Sequence, residues 1–195
     1  DDYFNTVLYT GNGGTQAITG VGFQPDWVWI KERSSTSSHA LFDSNRGVTN
    51  LLSSDASSAE TDSNDSLTAF GTDGFTSGSD GFTFDTAGAT NTNGATNVAW
   101  CWHANAGTTS SNTDGSIDST VQANVDAGFS IVTYVGTGSN ATVGHGLSVA
   151  PDFMVAKSRS ATGNWYSYQG DGTKSMLFNT TAAQFSTSDK WNNSD

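Results

Sequence analysis

The chain has 195 residues, with 7 Lys and Arg against 19 Asp and Glu and a formal net charge of -12. So acidic a chain lacks the basic patch that phosphate contact requires, which argues against nucleic-acid binding, while its charge favours solubility. A single cysteine, Cys101, excludes an intrachain disulfide framework and a Cys-rich zinc site, and no apolar run reaches membrane-spanning length.

Only 13% of residues are charged, and the remaining polarity comes from Ser, Thr, Asn and 22 glycines. Six Trp and eleven Phe set the chain apart from disordered sequences, which are too poor in aromatics to build a core. The profile fits an extracellular all-β protein rich in short turns. The sequence starts at Asp1 with no visible signal peptide, so the chain is expected to be processed or an internal fragment.

Taken in order, the predicted elements are almost all strands. Residues 5–10 (NTVLYT), 26–31 (DWVWIK), 40–44 (ALFDS), 80–85 (DGFTFD) and 97–104 (NVAWCWHA) are short runs of β-branched and aromatic residues bounded by Gly, Asn, Asp and Ser. The runs TGNGG (10–14), SGSDG (77–81) and GTGSN (136–140) mark tight turns, with Gly available for positive φ. Residues 57–70 (SSAETDSNDSLTAF) hold at most one helical turn. Residues 108–116, rich in Ser, Thr and Asn, read as a flexible linker. The following SIDSTVQANVDAG (116–128) alternates as an edge strand.

An internal repeat organises these elements. Phe4 to Arg33 aligns with Phe129 to Arg159: Phe4 with Phe129, Tyr9 with Tyr134, Gly11 and Gly13 with Gly136 and Gly138. After a one-residue insertion, Pro25-Asp26 aligns with Pro151-Asp152, Lys31 with Lys157 and Arg33 with Arg159. The match continues faintly from NLLSSDASSAE (50–60) to MLFNTTAAQFS (176–186). The expected organisation is therefore a first module at 1–107, the linker at 108–116 and a second module at 117–195. The second copy stops before any counterpart of VAWCW and is expected to lack its last strands, with the protein continuing further, because a half-sheet would leave open edges. Many short strands at this spacing predict an all-β fold of tandem antiparallel β-sandwich or jelly-roll modules, the second truncated.

The motifs Pro-Asp-aromatic-x-x-x-Lys-x-Arg (25–33), Phe-Asp-Ser-x-Arg-Gly (42–47), Asp-Gly-Phe, and Val-Ala-Trp-Cys-Trp (98–102), with the second copy DGSIDSTVQANVDAGFSIVTYVGTGSNATVGHGLSVAPDFMVAKSR, carry a resemblance. Over nearly its whole length the chain resembles a repeat module of tail-fibre-like and other virion structural proteins of marine bacteriophages. The resemblance implies a concanavalin-like or jelly-roll β-sandwich serving as a structural or adhesive virion element, with symmetric oligomers, often trimers. It also implies a VAYCF-like strand at the end of the second copy, and it brings no catalytic residues. The second copy departs from the first at SYQGDGTKS (167–175), where FDSNRG would stand, so any role of Arg46 is not duplicated.

Each candidate site has a plainer structural reading. Trp27 and Trp29 share a strand face that Lys31 and Arg33 continue, a possible sugar platform of aromatic and basic groups. The second copy has Phe153 and Val155 at the tryptophan positions, and Val28 and Ile30 on the other face match Met154 and Ala156. Both faces are apolar in both copies, as in a central strand covered on both sides, so core packing is the favoured reading. In VAWCWHA, Val98, Trp100 and Trp102 take one face and Ala99, Cys101 and His103 the other. Cys101 reads as a small buried hydrophobe rather than a nucleophile, since no third group orients a Cys-His pair.

His39, Asp43, Ser44 and Arg46 invite a Ser-His-Asp reading, but no nucleophile elbow surrounds Ser44. The plainer expectation is a turn capped by Asp43, with Arg46 on a carboxylate or carbonyl, Asp26 being the candidate. His39, His103 and His145 are too scattered for zinc. Asp62, Asn64, Asp65, Asp73 and Asp80, with Glu60 and Asp85 nearby, carry the oxygen ligands calcium prefers, though no complete EF-hand loop is present and such loops are usually only solvated. Asn64, Asn140, Asn179 and Asn192 stand in N-x-Ser/Thr patterns that arise by chance in this composition.

The function expected from sequence is non-enzymatic: a virion or extracellular structural protein of a phage tail fibre or appendage, self-associating, contacting other virion proteins and host-surface glycans through polar loop tips. It needs no cofactor, with calcium as the one candidate ion. The alternatives are a lectin-like carbohydrate-binding module of a secreted bacterial protein and a glycan hydrolase, which needs a carboxylate pair that nothing singles out.

Overall fold

The computed structural model of the chain describes residues 2–79 and 90–191. The strand expected at 80–85 lies outside the described residues. Those described form strands and no helix. The first are β1 (Phe4–Thr10), β2 (Gln16–Thr19), β3 (Trp27–Glu32), β4 (Ala40–Asp43), β5 (Gly47–Leu52) and β6 (Thr61–Asp62). Next come β7 (Leu67–Gly71), β8 (Gly74–Ser77), β9 (Thr96–Trp102), β10 (Ser110–Asn112) and β11 (Ser119–Asn124). The last are β12 (Phe129–Tyr134), β13 (Met154–Ala156), β14 (Tyr166–Tyr168), β15 (Lys174–Leu177) and β16 (Phe185–Ser186).

These strands make four antiparallel sheets: β1-β9-β3-β4-β5-β6, β2-β8-β7, β10-β11-β12 and β13-β14-β15-β16. In the six-stranded sheet β3 lies between β9 and β4, and its burial alternates with the pleat. Val28 and Ile30 are fully buried on one face, while Trp27 and Trp29 are half-buried on the other. On the Val28 side one core is shared with the β2-β8-β7 sheet. Ile18, Leu67 and Phe75 from that sheet meet Ala40, Phe42, Leu51, Ala99 and Cys101 from the six-stranded one. The β7–β8 turn needs Gly74: its φ is +148°, and a Cβ there would lie 2.0 Å from the Ile18 carbonyl oxygen of β2.

The repeat is visible in the sheets. Val28 faces Phe42 and Ile30 faces Ala40, and one repeat later Met154 faces Tyr168 and Ala156 faces Tyr166. The order β3-β4-β5-β6 recurs as β13-β14-β15-β16, and β12 aligns with β1 in sequence.

Local expectations change at two places. Residues 119–124 do not form an edge strand: β11 is the centre of its sheet, because Ser110–Asn112, inside the stretch read as linker, pairs with it as β10. The helical turn allowed in 57–70 does not form. Thr61 and Asp62 pair with β5 instead, and Ser63 and Ser66 hydroxyls bond each other at 2.6 Å in the turn that follows. Short polar side chains that bond to each other and to nearby backbone compete with helix there.

Candidate functional site

The aromatic face of the six-stranded sheet is covered by the second repeat copy. Trp165, just before β14, is buried together with Leu41 and Leu52, and Trp27, Trp29 and Val155 pack around them. Phe129 of β12 lies 6.0 Å from the Trp27 ring and 6.2 Å from the Trp102 ring, and Phe178 lies 5.9 Å from Trp29. Aromatic pairs at such separations each add about 1 kcal/mol beyond the area they bury. The face that aligned tryptophans suggested as a sugar platform is thus an intramolecular contact. Trp29 Nε1 donates to His39 Nδ1 at 2.7 Å, whereas Trp27 Nε1 is buried with no hydrogen-bond partner among the described residues. Trp27 is held by packing alone.

Polar contacts cross the same junction. Trp165 Nε1 donates to the Ser53 and Ala56 carbonyls, Gly163 N–H to Ser57 O, and Glu60 N–H to Arg159 O. Ser44 Oγ, whose proton goes to Asp26, lies 3.0 Å from the Gln122 side-chain amide, and Asn45 Nδ2 donates to the Thr120 and Ile131 carbonyls.

At its rim sits a cluster of charges. Arg46, its side chain only 6% exposed, donates from Nε to Asp43 at 2.5 Å and from Nη1 to Glu60 at 2.9 Å. It also bonds the Asn50 and Leu41 carbonyls. Arg159 from the second copy reaches Glu60 with both Nε and Nη2, at 2.9 and 2.7 Å. Asp43 caps the turn as expected, accepting from Arg46 N–H at 2.8 Å, but Arg46 does not meet Asp26. Asp26 is occupied by backbone amides, and the nearer carboxylates Asp43 and Glu60 take the guanidinium.

Burial pushes the Glu60 carboxyl up, but hydrogen bonds from Arg159 and Arg46 and their charges outweigh this and hold it below its ordinary value of 4.5. A carboxylate with a depressed folded-state pKa contributes stability that is complete above its unfolded value and lost as pH falls through the folded one. The urea midpoint is therefore expected to drop as pH falls below the ordinary value of 4.5, and Glu60→Gln to flatten that part of the profile. An unchanged acid slope in the variant would contradict the assignment.

Asp26 is completely buried just before β3. Its Oδ2 accepts from the N–H groups of Ala104, Asn105 and Ala106, and its Oδ1 from Gly107 N–H and Ser44 Oγ. One carboxylate thus ties the turn after β9 to β3, which explains the Pro-Asp at the head of that strand. Asp26→Asn loses one charged acceptor and sets an amide donor against donors, and is expected to cost about 2 kcal/mol in urea unfolding. Asp152→Asn, at the exposed counterpart, is expected to stay within about 0.5 kcal/mol of wild type. The Lys that both copies keep has a shared task. Lys31 Nζ bonds the Glu32 and Ser35 carbonyls, and Lys157 Nζ the Ser158 and Ala161 carbonyls.

The catalytic readings find no geometry among the described residues. Cys101 is buried, which pushes its thiol up to about 12. It is expected to stay unreactive toward an aromatic disulfide reagent at about pH 8 until the protein is unfolded; prompt reaction of the native protein would refute this. His103 lies between the Phe23 and Tyr3 rings, at 5.4 and 6.4 Å. His39 accepts from Trp29, Asp43 is bound to Arg46 and Ser44 to Asp26, so the three do not form a relay.

Of the calcium candidates, Asp62, Asn64 and Asp65 are exposed around β6 and the turn after it. Asp73 lies on the β7–β8 turn, where Gly22 and Gly20 N–H groups bond its carboxylate and hold its pKa down. Asp80 lies outside the described residues, as do Asp85 and Asn192. Among the described residues no group of three or more His, Cys, Asp or Glu side chains is placed to hold a metal ion. A shallow open pocket of about 230 Å³ is lined by Asp114, Gly115 and residues 142–147, including His145.

Sequence reasoning missed Trp165 and the Arg159–Glu60 pair. Trp165 stands where the first copy has His39, and a large aromatic replacing a polar residue between otherwise aligned strands was its visible trace.

Residues 1–195 match the family model described as Domain of unknown function (DUF7483). No curated protein and no solved structure matches the chain.

Proposed function

We propose, starting from the premise that this chain belongs to the DUF7483 family over its whole length, that it is a non-enzymatic structural protein of a bacteriophage virion, part of a tail fibre or surface appendage. In finer terms the fold is read as two tandem β-sandwich copies of jelly-roll type. The observation that carries the reading is the junction between the copies. Trp27 and Trp29 pack against aromatics of the second copy, and the buried Arg46 shares Glu60 with Arg159 of that copy. Side chains used in this way support a structural module better than a catalyst. The sequence resemblance to phage fibre modules supplies the virion setting, outside the host cell.

Self-association, as a trimer, and contacts with neighbouring virion proteins belong to the same proposal. Host glycans would be met by the Ser-, Thr- and Asn-rich loop tips. Antibodies raised against the chain should label appendages of purified particles in electron micrographs, and light scattering should give three chains per particle of soluble protein. Absence of the chain from purified virions would defeat the proposal. Release of reducing sugar from a glycan panel by the purified protein would defeat its non-enzymatic part.

A further inference from the structure

Trp29 fixes the protonation state of His39. An indole N–H only donates, so His39 Nδ1, 2.7 Å from Trp29 Nε1, is the unprotonated, accepting nitrogen of a neutral imidazole. Trp27 Nε1 has no partner, so this is the only hydrogen bond to either indole of β3 among the described residues. It stands at the junction of the copies. The Trp29 ring meets Phe178 of the second copy at 5.9 Å and packs around Trp165 with Leu41 and Leu52.

His39 also holds the segment that the second copy clasps. Its backbone N–H donates to Asp55 Oδ1 at 3.0 Å, and Trp165 Nε1 donates to the carbonyls of Ser53 and Ala56 on either side of Asp55. Burial is the largest influence on the imidazole and disfavours its charged form. The Asp55 charge favours that form, and the Lys31 charge of β3 disfavours it, so the ring titrates below its ordinary value of 6.5. The second-copy side chains at this place, Trp165 and Phe178, carry no charge.

We infer that His39 is an acid-operated switch of the junction between the two copies: its protonation breaks the Trp29 bond and loosens the aromatic face from the second copy. On protonation Nδ1 gains a hydrogen and becomes a donor facing the Trp29 N–H. Turning the ring over restores nothing, because an imidazolium donates from both nitrogens. The indole N–H is left without an acceptor in a half-buried site, and its withdrawal disturbs the contacts with Phe178 and Trp165. The folded protein favours the neutral ring more than the unfolded chain does. Stability therefore falls as pH drops from 6.5 toward the lower folded value, and this term falls no further below it. The window opens above the one set by Glu60, whose ordinary value is 4.5. The inference does not depend on the virion reading.

The test follows the Trp29 indole N–H signal of the full chain by NMR from about pH 8 to about pH 5, the range in which histidines titrate. The signal is identified by its loss in Trp29→Phe. It should move along one titration curve with a midpoint below 6.5. Solvent exchange of that proton should speed by about tenfold or more. The Phe178 ring signals should shift in step, and the urea midpoint should fall over the same range. His39→Asn keeps an accepting oxygen near the Nδ1 position and does not titrate, so these changes should vanish in it while His103 and His145 remain. An indole signal that stays still in wild type, or moves equally in His39→Asn, would overturn the switch. A moving indole signal with unmoved Phe178 signals and a constant urea midpoint would overturn its hold on the junction. The His39 ring signals of wild type keep the test decisive should His39→Asn not fold: a ring that titrates without moving the indole signal would also overturn the switch.

Discussion

Arg46→Ala is expected to lower the unfolding free energy by about 3–5 kcal/mol, read as a fall in urea midpoint at unchanged slope. The size follows from what is left behind. Asp43 and Glu60 are nearly buried carboxylates, and each loses a charge-assisted bond, while the Asn50 and Leu41 carbonyls lose donors. Breaking one partner of a buried network costs more than the network contributes net, because the stranded charges keep their desolvation penalty. Arg46→Lys should lose most of the same amount, since a single ammonium cannot reach four acceptors in the plane of a guanidinium fork. Arg159→Ala should cost much less, about 1 kcal/mol or below, because its side chain is 43% exposed and water screens the pair. A loss below about 1 kcal/mol for Arg46→Ala would mean that the cluster is not the structural anchor described here.

Trp165→Ala is expected to cost about 3–5 kcal/mol and to uncouple the two copies. The ring is 4% exposed and fills the space between Leu41, Leu52 and the two tryptophans of β3, and its N–H serves the Ser53 and Ala56 carbonyls. Its loss leaves a cavity and two acceptors without their donor. Because the ring belongs to the second copy and its neighbours mostly to the first, the variant should unfold in two calorimetric steps where wild type unfolds in one. The fluorescence of Trp27 and Trp29 should shift to the red as water reaches them. A single transition at the wild-type temperature would contradict a coupling role for this side chain. Trp165→Phe, which keeps most of the volume but not the N–H, should fall between the two.

Much of the local structure could be read directly. The alternation in DWVWIK follows the strand pleat, so Val28 and Ile30 had to share one face and Trp27 and Trp29 the other. A strand apolar on both faces had to be central, and β3 is flanked on both sides. Cys101, between two tryptophans on an apolar run, was readable as a buried thiol. The repeat itself was readable, since side chains that fill equivalent positions keep their order. Strand edges were harder. Whether residues 119–124 form an edge or a centre depends on whether Ser110–Asn112 pairs with them, and a three-residue polar strand leaves no periodic pattern.

What sequence alone determined about this protein was therefore an all-β character, a two-copy repeat and the faces of its main strands. These follow from short-range rules: pleat period, turn residues and hydrophobic alternation act over a few neighbouring residues. The partners of its charges and aromatics were decided only by the tertiary structure. Arg46 meets Glu60, Glu60 meets Arg159 and Trp165 covers Trp29 because the second copy lies on the aromatic face of the first, bringing residues about a hundred positions apart into contact. No local pattern encodes such a meeting. "PDWVWIKER" carries the same faces whether a sugar, a sheet or its own repeat covers the tryptophans, and the choice falls to whichever surface buries them with its polar groups satisfied.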